Sequence, residues 1–152
     1  MRDRLPANPY RYGLLIVAAG QLGATVQALV APRSFYEDVP FGRGWVEAYP
    51  AYNDHLIYDY GAYTLGALVA LVIAAIWLDR RVVQVATASW LVSAIIHFVN
   101  HVLTVDRYET FDAVANLSGL LLFVAVPGWL LLRSINERSA EDPGSTRART
   151  AT

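Results

Sequence analysis

The chain has 152 residues, 55% of them hydrophobic, and a formal net charge of −1. A near-neutral chain without a continuous basic stripe is not typical of a nucleic-acid-binding protein. Because there is no cysteine, disulfides, a CxxC redox pair and a thiolate metal site are excluded. The hydrophobic residues lie in long runs, which indicates a membrane protein.

Four runs contain no Asp, Glu, Lys or Arg, and each can cross the roughly 30 Å hydrocarbon layer as a helix. They predict an all-α membrane protein, a four-helix transmembrane bundle occupying residues 13–133. Its spans are residues 13–31, 60–78, 82–105 and 113–132. The first run, preceded by arginines, also fits a cleaved signal peptide. The run is long for a signal peptide, and cleavage after Ala31 would place Leu29 where a small residue is preferred. Both features favour a retained span.

Arginines predict the orientation of these spans. They concentrate in the tail 1–12, in the turn containing Arg80 and Arg81, and where the C-terminal tail starts, at Arg133 and Arg138. The positive-inside rule then places both termini in the cytoplasm. The polar C-terminal tail, residues 134–152, is predicted to be disordered.

The connection between the first two spans, residues 32–59, is then external. It is rich in aromatic residues, and Trp and Tyr favour the membrane–water boundary. We predict a lid over the bundle mouth, with Trp45 and Tyr49 at least partly buried.

Polar residues gather at the predicted external ends of spans two to four. His97 and His101 are four residues apart and share one face of a helix. His55 and Asp59 precede span two, and Asp112 precedes span four. Imidazole and carboxylate ligands suit zinc, iron, copper or manganese, so these five residues are candidate metal ligands. The same level holds the candidate pocket residues Gln27, Trp45, Asn53, Asp54, Tyr63, Asn100 and Asn116.

Several interpretations of this polar level remain open. The residues form a hydrogen-bonded network that ties the lid to the bundle, or they bind a small apolar or lipid-like molecule such as a quinone. Alternatively they hold a metal or haem, and the protein is a membrane oxidoreductase. A further alternative is an accessory subunit or homo-oligomer. In that case the small residues of span two, Gly66 to Ala75, dock onto another membrane protein.

Pro127 interrupts the fourth span. Proline has no N–H and its ring crowds the carbonyl four residues earlier. We therefore predict a kink and a Phe123 carbonyl without its usual helical donor.

One stretch carries a family resemblance. It reads Gly42-Arg43-Gly44-Trp45-Val46, then Pro50-Ala51-Tyr52-Asn53-Asp54-His55-Leu56 and Asp59-Tyr60-Gly61-Ala62. It resembles small four-helix membrane proteins of actinobacteria that are grouped with DoxX-like proteins, over roughly residues 35–130. The resemblance implies four spans in a bacterial plasma membrane and carries no catalytic residues.

Overall fold

The computed structural model describes residues 3–141, with side chains up to residue 137. In this part of the chain there is no β-strand, and the helices follow in the order α1 (Ala7–Val30), α2 (Pro32–Asp38), α3 (Asp54–Trp77), α4 (Arg80–Leu103), a 3-10 turn (Val105–Arg107) and α5 (Thr110–Glu141). The helices α1, α3, α4 and α5 are long and apolar enough to cross a membrane. The predicted all-α four-helix bundle is confirmed.

The helices α3 and α4 begin before their charge-free runs, and a polar side chain caps the start of each. The Asn53 side chain accepts a hydrogen bond from the backbone N–H of Leu56, so α3 begins at Asp54 rather than at residue 60. Asp79 caps α4 in the same way, accepting from the N–H groups of Arg81 and Val82. Charge therefore marks the helix ends here without terminating the helices.

The C-terminal end of α5 corrects one expectation. Residues 134–141, predicted to be disordered, continue the helix. Arg133 and Glu137, one turn apart, form an ion pair at 2.7 Å, and Ser134 is buried, so this turn packs against the bundle. The remainder of the predicted disordered tail lies outside the described residues.

The bundle is built from two helix pairs. The helices α1 and α3 pack closely, as do α4 and α5, whereas α3 and α4 touch less extensively. We call the end of the bundle where α3 ends and α4 begins the termini end, and the opposite end the loop end. The main hydrophobic core, which includes Leu14, Leu71, Val83 and Leu130, gathers toward the termini end.

The residues before α1 hold the hairpin of α3 and α4 together. The Leu5 N–H donates to the Leu78 carbonyl at 2.9 Å, and the Arg80 N–H donates to the Asp3 carbonyl at 3.0 Å. The buried Arg80 guanidinium bonds the Asp3 carboxylate and, at 2.7 Å, the Ser134 carbonyl of α5. The two pairs are thus joined firmly at the termini end.

Candidate functional site

Residues 39–53, the crossing loop, join the two helix pairs at the loop end. The Tyr108 hydroxyl donates to the Trp45 carbonyl at 3.0 Å, and Arg107 donates to the Ala48 carbonyl at 3.0 Å. The hydroxyls of Tyr49 and Thr104 lie 2.6 Å apart. Trp45 and Tyr49 are half-buried, as predicted. The loop therefore leaves α2, beside α1, and docks on the ends of α4 and α5.

Asp112, in the first turn of α5, is the main polar anchor of the crossing loop. Its carboxylate accepts from both the Nε and Nη2 groups of Arg43, and from the Trp45 indole N–H at 2.8 Å. The hydrogen bond to Asp112 raises the pKa of Arg43. Such a forked pair fixes direction as well as distance, so Asp112 sets where the loop docks.

The ring of His101 is buried beneath this loop. It stacks on Tyr108 with centroids 5.8 Å apart and meets Tyr49 edge-on at 5.7 Å. The Tyr108 hydroxyl lies 3.4 Å from His101 Nδ1, a long contact. Burial, with the nearby Tyr49 hydroxyl, raises the pKa of Tyr108. This cluster is aromatic packing with few polar bonds.

The candidate metal ligands are not brought to one point. His55 is 81% exposed and lies 3.6 Å from Asp59, while Asp112 is occupied by Arg43 and Trp45. The remaining two candidates, His97 and His101, are adjacent, with ring centroids 4.7 Å apart. Residues 3–141 contain no group of three or more side chains that could hold a metal. His55 lies in the first turn of α3, and α3 packs more closely on α1 than on α4.

Three candidate pocket residues have local roles instead. Asn53 caps α3, Asp54 accepts from the His55 N–H, and the Gln27 amide donates to Ser34 at 3.0 Å. The Asn100 side chain is exposed. Asn53 and Asp54 thus bond within the first turn of α3, and Gln27 bonds α2.

Asn116 is different, because it is 4% exposed and its Oδ1 atom has no hydrogen-bond partner among the described residues. It lies on α5, four residues before Leu120. A buried amide oxygen without a partner is costly and marks a place where a further donor would be favourable.

A cavity of about 570 Å³ lies between α3 and α4. Its α3 wall consists of Tyr60, Tyr63, Thr64, Ala67 and Ala70. Its α4 wall consists of Ala86, Ser89, Trp90, Ser93, Ala94 and His97. Gln21 of α1 and Leu120 and Phe123 of α5 complete the lining. All of these residues lie within the four membrane-length helices.

The rear of the cavity is held by bonds between helices. The Gln21 amide donates to the Tyr60 hydroxyl at 2.5 Å, and the Thr25 hydroxyl donates to Thr64 at 3.1 Å. On the other side, the Trp90 indole N–H donates to the Phe123 carbonyl at 3.1 Å. Hydrogen bonds thus join α1 to α3 and α4 to α5, and the cavity lies between these two helix pairs.

His97 connects the cavity to the aromatic residues Tyr49, His101 and Tyr108, which we call the loop-end cluster. It lines the cavity, and its ring contacts His101, which packs against Tyr49 of the crossing loop. The sequence interpretation identified His97 and Tyr63 but missed Gln21, Ser89 and Ser93. The four-residue spacing of Ser89, Ser93 and His97 is the signal that could have revealed this face of α4.

Comparison with known proteins returned no match among the family models, the curated proteins or the solved structures. The resemblance to DoxX-like proteins therefore stays a prediction.

Proposed function

We propose that this protein is an integral membrane protein that binds one lipid-like molecule in the cavity between α3 and α4. The observation that carries the proposal is the cavity itself, with its position between membrane-length helices. Ligand sites in proteins commonly have volumes of roughly 300–1,000 Å³, and the 570 Å³ found here falls within that range.

The position of the cavity favours a ligand that arrives from the bilayer. Tyr63 on one wall is 79% exposed, and Ser93 on the other wall is also exposed, so the space opens at the bundle surface. At the level of the spans that surface faces hydrocarbon. A molecule dissolved in the membrane reaches the opening directly.

The lining changes character along the cavity, as an amphiphile requires. Toward the loop end it presents Gln21, Tyr60 and His97, while toward the termini end Ala70 and Ala86 leave space for hydrocarbon. We infer that the head of the ligand lies toward the loop end and its chain toward the termini end.

Trp90 provides a direct test, because it lines the cavity yet is only 8% exposed. A variant with Trp45, Trp77 and Trp129 replaced by Phe has Trp90 as its single tryptophan. In bilayers of phosphatidylcholine and diacylglycerol, both brominated on their acyl chains, we expect strong quenching of Trp90, since bromine quenches only near contact. Trp90 fluorescence unaffected by bromination would overturn the proposal.

Filling the cavity supplies the control. Ala67→Leu combined with Ala94→Leu places extra methyl groups in the cavity and should abolish the quenching. Ala19→Leu combined with Ala62→Leu adds the same volume at exposed positions outside the lining and should leave it unchanged.

The orientation belongs to this proposal as well. We infer that the loop end faces the outside of a bacterial plasma membrane. Arg4, Arg11, Arg80 and Arg81 at the termini end support it, because arginine is retained on the cytoplasmic side.

A further inference from the structure

We propose that the molecule in this cavity has an uncharged head with at least two hydrogen-bonding atoms, as a diacylglycerol or a quinone has. A phosphate or carboxylate head is disfavoured. The inference rests on the proposed function, because it takes the cavity to hold a lipid-like molecule. It is carried by polar side chains of the cavity walls that lack partners.

The α4 wall carries a line of such side chains. Ser89, Ser93 and His97 follow one another at four-residue intervals and all line the cavity. Among residues 3–141 neither serine side chain has a hydrogen-bond partner, and the contact of His97 is with the ring of His101. In hydrocarbon, polar groups without partners are unfavourable, so a ligand that bonds them is stabilised.

The α3 wall offers a second set of groups. The Tyr60 hydroxyl accepts from Gln21, which leaves its own hydrogen for a further acceptor. The Tyr63 hydroxyl has no partner within the described part of the chain. Hydroxyls on both walls can therefore donate to one head group that lies between them.

The spacing of these polar side chains indicates that the head group of the ligand has more than one hydrogen-bonding atom. Ser93 and His97 are separated by about one helical turn, roughly 6 Å along the axis. Ser89 extends the line to about 12 Å. A plain hydrocarbon chain would leave every one of these groups unpaired, whereas two carbonyl or hydroxyl oxygens can bond two of them together.

The charge of the lining argues against an anionic head. None of the described residues that line the cavity is Arg, Lys, Asp or Glu. The nearby cations of the loop end are engaged elsewhere: Arg43 with Asp112, and Arg107 with the Ala48 carbonyl and the Tyr49 ring. An anion placed among neutral groups at membrane depth is strongly disfavoured.

The test compares three short-chain probes on the purified protein by native mass spectrometry: dioctanoylglycerol, a decyl-substituted benzoquinone and dioctanoylphosphatidate. We expect one of the two neutral probes to be retained at concentrations about tenfold below those needed for the phosphatidate. The better neutral probe identifies the head chemistry. Equal or tighter retention of the phosphatidate would overturn the inference.

A matched pair of variants locates the binding. Ser93→Ala with His97→Leu removes two groups of the line and should weaken retention of the neutral probe about tenfold. Ser118→Ala with His55→Leu makes the same changes at exposed positions outside the lining and should have no effect. Unchanged retention in the first variant would also overturn the inference.

The two proposals fail in different ways. If Trp90 is quenched by brominated chains but the probes are not distinguished, the cavity binds lipid and the head-group inference is wrong. Without quenching of Trp90, the proposed function itself is wrong.

Discussion

The indole N–H of Trp90 in α4 donates to the backbone carbonyl of Phe123 in α5, over 3.1 Å. That carbonyl is available because Pro127, four residues later inside α5, has no N–H to offer. The carbonyl that Pro127 leaves without a donor in α5 is thus bonded by a side chain of α4. The bond also sets the register of the two helices at the back of the cavity.

A double-mutant cycle should reveal this dependence. Trp90→Phe leaves the Phe123 carbonyl unpaired, and we expect a loss of about 1–3 kcal/mol in the free energy of unfolding. In a Pro127→Ala background, residue 127 again supplies an N–H, so the same replacement should cost clearly less. Unfolding by SDS in mixed micelles measures both losses.

Trp129→Phe, on the exposed part of α5, controls for the loss of an indole ring. Equal losses for Trp90→Phe in the two backgrounds would show that the proline and the tryptophan act independently.

The sequence predicted this part of the fold well, because its signals are local. Four charge-free runs indicated the four long helices. Pro127 indicated that the Phe123 carbonyl lacks its usual helical donor. What bonds that carbonyl depends on the pairing of α4 with α5, which no local pattern contains. The same limit explains why His55 was expected to join His97 and His101. Its spacing from Asp59 is visible in the sequence, but its distance from the histidines of α4 depends on helix packing.

The cavity was also outside the reach of local patterns. Ser89 and Ser93 fit an ordinary membrane helix, and Gln21 lies on a different span. They meet only because α1–α3 and α4–α5 pack as pairs and leave a space between them. The short α2 was missed because a proline, Pro32, reads as a loop residue although it suits the first turn of a helix.

The anchor of the crossing loop yields a second prediction. Asp112→Ala removes the acceptor of both Arg43 and the Trp45 indole. We expect the loop to detach more often, at a cost of about 1–2 kcal/mol, so that backbone amides of residues 39–53 exchange hydrogen roughly tenfold faster. Hydrogen-exchange mass spectrometry measures this change.

Glu37→Ala serves as the matched control, because Glu37 pairs across α2 with an exposed Arg33. Exposed pairs of this kind contribute little to stability, so exchange in residues 39–53 should stay close to that of the unchanged protein. Similarly faster hydrogen exchange in both variants would show that Asp112 is not the specific anchor of the crossing loop.

The raised pKa of Tyr108 makes loop docking sensitive to alkaline pH. Tyrosine ordinarily ionises near pH 10. Because the docked state holds the proton more tightly, the stability contributed by Tyr108 is complete below about pH 10 and is lost as pH rises toward the raised pKa. Limited proteolysis of the crossing loop should therefore accelerate above about pH 10.

Tyr108→Phe provides the control for this titration. It removes the ionisable group and the bond to the Trp45 carbonyl, so the loop should be cut faster at neutral pH. Its cleavage rate should then rise less steeply above pH 10 than that of the unchanged protein, after correction for protease activity. An identical pH profile in both proteins would exclude Tyr108 as the titrating group.

The inferred orientation can be tested because the chain contains no cysteine. Glu47 in the crossing loop and Arg81 at the start of α4 are both exposed and lie at opposite ends of the bundle. Neither residue takes part in the loop-end cluster or the cavity lining. Arg80 is unsuitable, since it is buried and bonds Asp3 and Ser134.

In intact cells, an impermeant thiol reagent should label Glu47→Cys and should label Arg81→Cys only after the membrane is permeabilised. The physical reason is the retention of arginine-rich segments on the cytoplasmic side during insertion. The cysteine-free parent measures background labelling. Labelling of Arg81→Cys but not Glu47→Cys in intact cells would place the crossing loop in the cytoplasm, so that the polar end of the cavity would lie toward the inner leaflet.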